Sequence, residues 1–330
     1  MSPALIPSAG FHSGARAPTV SSCARHPLVR SWGWPVKLDV VRTLLPILLL
    51  LWAAPFAVVS QAQPAPAAPS VLTPPQVQAL VKRALAAELL AAQDATHPMR
   101  YRLRKSSPRF TSTKEIVETR DGDVARLLSI YDQPLSTAQE QAEQARLDEL
   151  LRNPSRQRHR KQSEDDDTGR ALKVLRALPK AFLYQFAGAA QGPTGSVDKF
   201  TFKPNPNFTP PDLETQALTA LTGELWIDTA HERVTRLEGH LRQDVDFGWG
   251  ILGRLNKGGW IAIDQADVGG NQWRIVRFEM VMSGRVLLKN KSFDTVEEET
   301  RFIPQPVGQD YKQAIQMLRA GAAGTDQGVQ

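Results

Sequence analysis

Cysteine is almost missing from this sequence. Cys23 is the only one in 330 residues, and it falls in a leader expected to be removed. The mature chain is therefore read as having no disulfide, no thiolate nucleophile and no cysteine metal site. Other absences narrow the chemistry. His97, His159, His231 and His240 have no metal-ligand spacing. His231-Glu232 starts like a zinc-protease helix motif, but Thr235 occupies the position of its second histidine. No nucleophile elbow surrounds Ser196, because Thr194 and Asp198 stand where that motif requires glycine. No pair of acids stands out from surface charge. The reading is a protein that is not an enzyme and takes no cofactor or metal, with an exported hydrolase of dispersed site as the enzymatic alternative.

Charge of one sign is also scarce once its position is considered. The formal charge is +6, yet five of the 40 basic residues and one of the 34 acidic residues lie in the first 62, leaving +2 for the remainder. So even a balance argues against a nucleic-acid partner.

What is present begins with an export signal. Basic residues up to Arg42 precede an apolar run over residues 44–60, and Ser60-Gln61-Ala62 offers small residues for a signal peptidase. Residues 1–62 are read as a signal peptide cleaved after Ala62, with a start codon placed too early, because residues 1–35 carry no pattern. A soluble periplasmic protein is the consequence. The alternative is an uncleaved segment anchoring the protein to the inner membrane.

Residues 63–72 read as a Pro/Ala linker. A helix follows from Thr73-Pro74, with Val77, Leu80, Val81, Ala84 and Leu85 at helical spacing to about Ala92. Strand-like stretches occupy residues 99–132, with Asp121-Gly122 as a hairpin turn. Ser136 caps a charged helix over 137–151. Residues 152–170 form a basic block followed by an acidic one and are read as a solvated excursion; a short helix over 170–178 ends at Pro179. Strands are expected at 182–189, 197–204, 223–241 as a hairpin, 259–268, 273–283, 284–293 and 295–302, then a helix over 309–320. Short connections without crossover helices imply an α+β fold with an antiparallel sheet of about 10 or 11 strands. The domain spans 73–303, and 304–330 is a C-terminal helix and tail.

Alternation supplies candidate binding residues. Phe182, Tyr184 and Phe186 share a strand face, as do Phe200 with Phe202, Leu225 with Ile227, Ile261 with Ile263, and Val276, Phe278, Met280 with Met282. They are read as one apolar sheet face, partly core and partly the lining of a cavity for acyl chains. Gly248, Gly250 and Gly253 satisfy G-x-G-x-x-G, with Asp267 near the place of a ribose-binding acid, but a dinucleotide site needs a strand-to-helix turn in a parallel unit. Those glycines instead let the loop 247–259 bend, so that Phe247, Trp249, Ile251 and Leu252 form a ridge at the cavity mouth. Asp228, at the turn before His231, is read as capping backbone amides.

The helix QVQALVKRALAAEL from Gln76, the hairpin GELWIDTAHERVTRLEG and the late WRIVRFEMVMSGRVLLKNKSFDTVEEETRF together resemble the periplasmic outer-membrane lipoprotein-carrier (LolA/LolB-like) superfamily. The resemblance implies a curved half-barrel with helices packed in its concave face, around an apolar cavity for lipid or lipoprotein acyl chains. It implies no enzyme activity. An envelope protein and transient membrane contact are the other partners considered, for a carrier or, alternatively, an envelope sensor or adaptor. The charged insertion 152–170 and the glycine-rich loop depart from the compact carriers.

Overall fold

A computed structural model describes residues 72–248, 253–286 and 289–325. The leader, nearly all of the Pro/Ala linker, and Trp249, Ile251 and Leu252 lie outside the described residues. Gln76 accepts from the Thr73 amide at 2.8 Å and opens α1 (Pro74–Ala91). Val77, Val81, Ala84, Leu85 and Glu88 form its buried stripe, one face of a helix. A meander follows: β1 (Met99–Ser107), β2 (Phe110–Val117), β3 (Val124–Ile130) and the two-residue β4 (Gln133–Pro134). Its β2–β3 turn carries Gly122 at φ +94°, a conformation that glycine adopts at no steric cost.

Two helices then connect the meander to the rest of the sheet: α2 (Thr137–Arg152) and α3 (Pro154–Ala181). Here the structure adds a helix where the sequence reading expected a solvated charged excursion. Residues 154–170 are the first half of a 28-residue helix that continues through Pro179 to Ala181. No apolar stripe holds this half. Lys161–Asp165 at 2.8 Å and Arg160–Glu164 at 3.7 Å brace it at i,i+4 spacing. Gln157 is buried and donates to the Asp121 and Gly122 carbonyls, while Glu164 accepts from the Asp123 amide at 2.9 Å. The charged helix is therefore fastened to the β2–β3 turn.

The remaining elements are β5 (Phe182–Gly192), β6 (Gly195–Pro204), the single turn α4 (Leu213–Gln216), β7 (Leu221–Asp228), β8 (Val234–Leu241), β9 (Val245–Phe247), β10 (Gly253–Leu255), β11 (Trp260–Asp267), β12 (Trp273–Val286), β13 (Lys289–Pro304) and α5 (Tyr311–Thr325). The expected breaks at Gly284 and Asp294 do not occur. Gly284 lies within β12 because β10 approaches so closely that a Cβ would sit 2.2 Å from the Arg254 carbonyl oxygen.

All pairings are antiparallel, in the order β4-β3-β2-β1-β13-β12-β11-β8-β7-β6-β5, with β9 and β10 extending from β12. The fold is α+β with one open sheet of thirteen strands among the described residues, two more than the upper expectation. Two packed cores flank it. One joins α1 and the end of α3 to β5–β8, centred on Phe200, Leu225 and Val81. The other joins Val117 and Val124 to Leu147 and Leu150 of α2 and Tyr311, Ile315 and Leu318 of α5. Strand alternation puts Val117 and Phe200 on opposite faces, so the two helix pairs cover opposite sides of opposite ends.

Candidate functional site

Register decides which alternating residues meet. One row of directly opposed residues runs Phe186, Phe200, Leu225, Leu237, Ile263, Phe278, crossing six strands. A second runs Tyr184, Phe202, Gly223, Gly239, Ile261, Met280. The glycines in the second row reflect close approach, since a Cβ on Gly223 would lie 1.8 Å from the Glu238 carbonyl oxygen. The apolar face expected from alternation is thus a continuous surface. Val276 falls at the bulge where Asp264 pairs with Arg277 and Gln265 with Ile275, so it stands outside both rows.

Cover divides that surface. Phe182, Phe200, Phe202, Leu225 and Ile227 are buried in the core beneath α1 and α3, with Phe182 and Phe202 ring centroids 4.5 Å apart. Tyr184 and Phe186 are half-buried against the same core. These seven pack in or against the core beneath α1 and α3. Phe247, expected in the mouth ridge, packs against this core too. Over β11 and β12 the same face changes character. Ile261, Ile263, Phe278, Met280 and Met282 are only half-buried, and Phe293, opposite Met282, is 46% exposed. Polar residues bound this patch at β13, where Glu297, opposite Phe278, pairs with Lys105 at 2.6 Å.

The reverse face of the same strands carries charge. Arg104, Glu298 and Arg277 interlock at 3.1 and 2.6 Å, Asp264 pairs with Arg236 at 2.5 Å, and Lys199 lies 4.4 Å above Trp226. Such cross-strand pairs each contribute roughly 0.2–1 kcal/mol. One face is therefore water-compatible, and the other is greasy where no helix covers it.

Two clefts are separate from that patch. One, about 330 Å³, lies between α1 and the β6–β7 region and is crossed by the Arg83–Glu232 pair. The other, about 570 Å³, lies between α3 and residues 205–212. Of the expected lining residues only Ile227 touches either cleft.

The titratable groups of the β7–β8 hairpin have structural work. Asp228 Oδ1 accepts from the Ala230 and His231 amides at 3.0 and 2.8 Å, as its turn position predicts. The His231 ring faces Asp228 and Trp273. A group that alternation did not reveal is Asp123 with Glu299. Burial, then repulsion from Glu164 and Glu118, pushes the Asp123 carboxyl up to about 7. Burial, then repulsion from Glu118 and Glu297, raises Glu299 to about 8. Glu118 repels both, and it nears Glu299 because β1 pairs with β2 on one side and β13 on the other. Among the described residues no set of His, Cys, Asp and Glu is arranged to hold a metal ion, and no helix is long and apolar enough to cross a membrane. The glycine-rich stretch is flanked by antiparallel β9 and β10, not by a strand and a helix, so the dinucleotide geometry is not there.

No known family matches the sequence, and no curated protein matches it. Similar solved structures include a domain from Vibrio parahaemolyticus named for outer membrane lipoprotein sorting, 12% identical, covering 72% of this chain and 99% of that one with a TM-score of 0.26. A DUF1329 family protein from Desulfovibrio piger is 11% identical and covers 72% of this chain and 96% of its own, also with a TM-score of 0.26. Superposition at that level assigns no residue of this chain a role.

Proposed function

We propose that this protein is a non-catalytic periplasmic carrier or binding protein for lipid or lipoprotein acyl chains. One observation supports it above the others: a continuous apolar sheet face leaves the helix-covered core at β11 and β12, where Ile261, Ile263, Phe278 and Met280 are half-buried, with Phe293 46% exposed at its edge. An isolated exposed hydrophobe needs no explanation, but a contiguous patch with a polar rim marks a binding surface. An acyl chain laid along it gains about 0.8 kcal/mol per methylene removed from water. In this reading the site is an open trough on the sheet, and the buried aromatics of β5 and β6 are its foundation.

Lipid extraction and mass spectrometry of protein purified from its native envelope test the reading. Co-purifying acyl lipid is the expected result. Phe278→Glu places a charge in the middle of the patch and is expected to abolish retention while the protein stays folded. Unchanged retention in a folded variant refutes the assignment of this face.

A second reading has its own observation. β1 pairs with β13 only from Val296 onward, so the outer edge of residues 289–295 has no strand beside it among the described residues. Such an edge can take an added strand, which favours an envelope adaptor that binds a partner protein. A stoichiometric protein partner without lipid in the same purification selects that reading.

A further inference from the structure

We propose that the cleft between the C-terminal half of α3 and residues 205–212 is a binding site for a phosphate-bearing anion. The helix supplies Lys173, Arg176 and Lys180 to this cleft. Their i, i+3, i+7 spacing puts all three cations on one face.

Cations near a helix C-terminus ordinarily serve its last four carbonyls, which have no partner within the helix. In α3 other donors have taken that role. The Leu178 carbonyl accepts from the Tyr184 hydroxyl at 3.0 Å and the Pro179 carbonyl from Gln78 Nε2 at 2.9 Å. The Lys180 carbonyl accepts from Asn205 Nδ2 at 3.0 Å and the Ala181 carbonyl from the Asn205 amide at 2.8 Å. The helix end is satisfied without any cation.

The acids in reach are also committed. Glu214 pairs with Lys173 at 3.2 Å, and Asp212 Oδ1 accepts from the Thr215 amide at 3.0 Å and its hydroxyl at 2.8 Å to start α4. Arg176 and Lys180 are exposed, and among the described residues neither has an acidic partner. They form a cationic surplus on one wall of a concave site.

The opposite wall is fixed. Asn205 ties the loop to the helix end, the Phe208 amide donates back to the Asn205 carbonyl at 3.0 Å, and the Asn207 amide donates to Asn205 Oδ1 at 3.0 Å. Phe208 packs on the core below. A preformed wall lowers the ordering cost of binding. Ala177, Phe208 and Pro211 provide apolar surface for carbon attached to the anion. A guanidinium beside an ammonium suits phosphate, the first through its bidentate fork and the second as a point charge.

This inference is independent of the acyl-chain reading. The same phosphate chemistry comes from a lipid headgroup or from phosphate in solution, and two probes separate them. Inorganic phosphate is titrated calorimetrically into the full protein at low ionic strength, where screening is weakest. Co-sedimentation is then measured with vesicles of phosphatidylglycerol and phosphatidylcholine, and with phosphatidylcholine alone. Arg176→Gln with Lys180→Gln, both exposed, is expected to keep the native unfolding temperature and to weaken binding about tenfold or more. Loss of phosphate binding in the variant supports the site. Loss of phosphatidylglycerol-dependent sedimentation supports it and assigns a headgroup. Absence of binding to either probe, or identical binding by wild type and variant, overturns it. Phe278→Glu serves as a control expected to bind phosphate normally.

Discussion

Glu88 closes the buried stripe of α1, at a position where the spacing calls for an apolar residue. Its carboxylate accepts from Arg233 Nε and Nη2 at 2.8 and 2.9 Å and from the Val234 amide at 2.9 Å, pinning the helix to the start of β8. Both partners are nearly excluded from water, with side chains 9% and 12% exposed. Removing one member strands the other charge, so Glu88→Ala is expected to cost about 3–5 kcal/mol, read from urea unfolding midpoints. A cost below about 1 kcal/mol would show the pair to be no better than a surface contact. Nothing local in the sequence marks this residue, because Arg233 lies far along the chain. Asp228 is the contrasting case: its turn role needs only the residues that follow it, and it was legible.

Among the elements, α3 was the hardest to read. A stretch with no large apolar residue gives no periodicity from which to infer a helix. Its stability comes from i,i+4 charge pairs and from Gln157, Arg160 and Glu164 reaching the β2–β3 turn. If these residues are helical in solution, Gln162→Pro in the exposed face should destabilise the protein by about 3 kcal/mol and reduce helical circular dichroism. A neutral effect would show that these residues are not helical in solution. The strands were more legible, since alternation survives local errors. The face carrying Phe200, Leu225, Ile263 and Phe278 was identified without knowing which strands adjoin. Division of that face into covered and uncovered parts was not, because cover depends on where helices dock. The break expected at Gly284 failed for a related reason: glycine there answers a neighbouring strand and makes no turn.

For the whole molecule, Asp123 and Glu299 set a pH dependence. Their carboxyls, raised to about 7 and about 8 by burial among other acids, keep protons in the folded protein that the unfolded chain releases near its ordinary values. The folded state therefore binds more protons between about pH 4 and pH 8, and this contribution to stability falls as pH rises through that window. Asp123→Asn with Glu299→Gln should flatten the decline in urea midpoints measured from acid to mildly alkaline pH; parallel slopes would contradict the assignment. Such a group could not be foreseen, because Glu118, which repels both carboxyls, nears Glu299 only when β1 lies between β2 and β13. That pairing also governs how the protein is made. Met99 sits opposite Pro304, so the first strand waits about two hundred residues for its neighbour, and closing so long a loop is slow. During synthesis the early meander must travel unfinished, with one flank bare, until residues 289–304 have emerged and that long strand slots in to knit the two halves together.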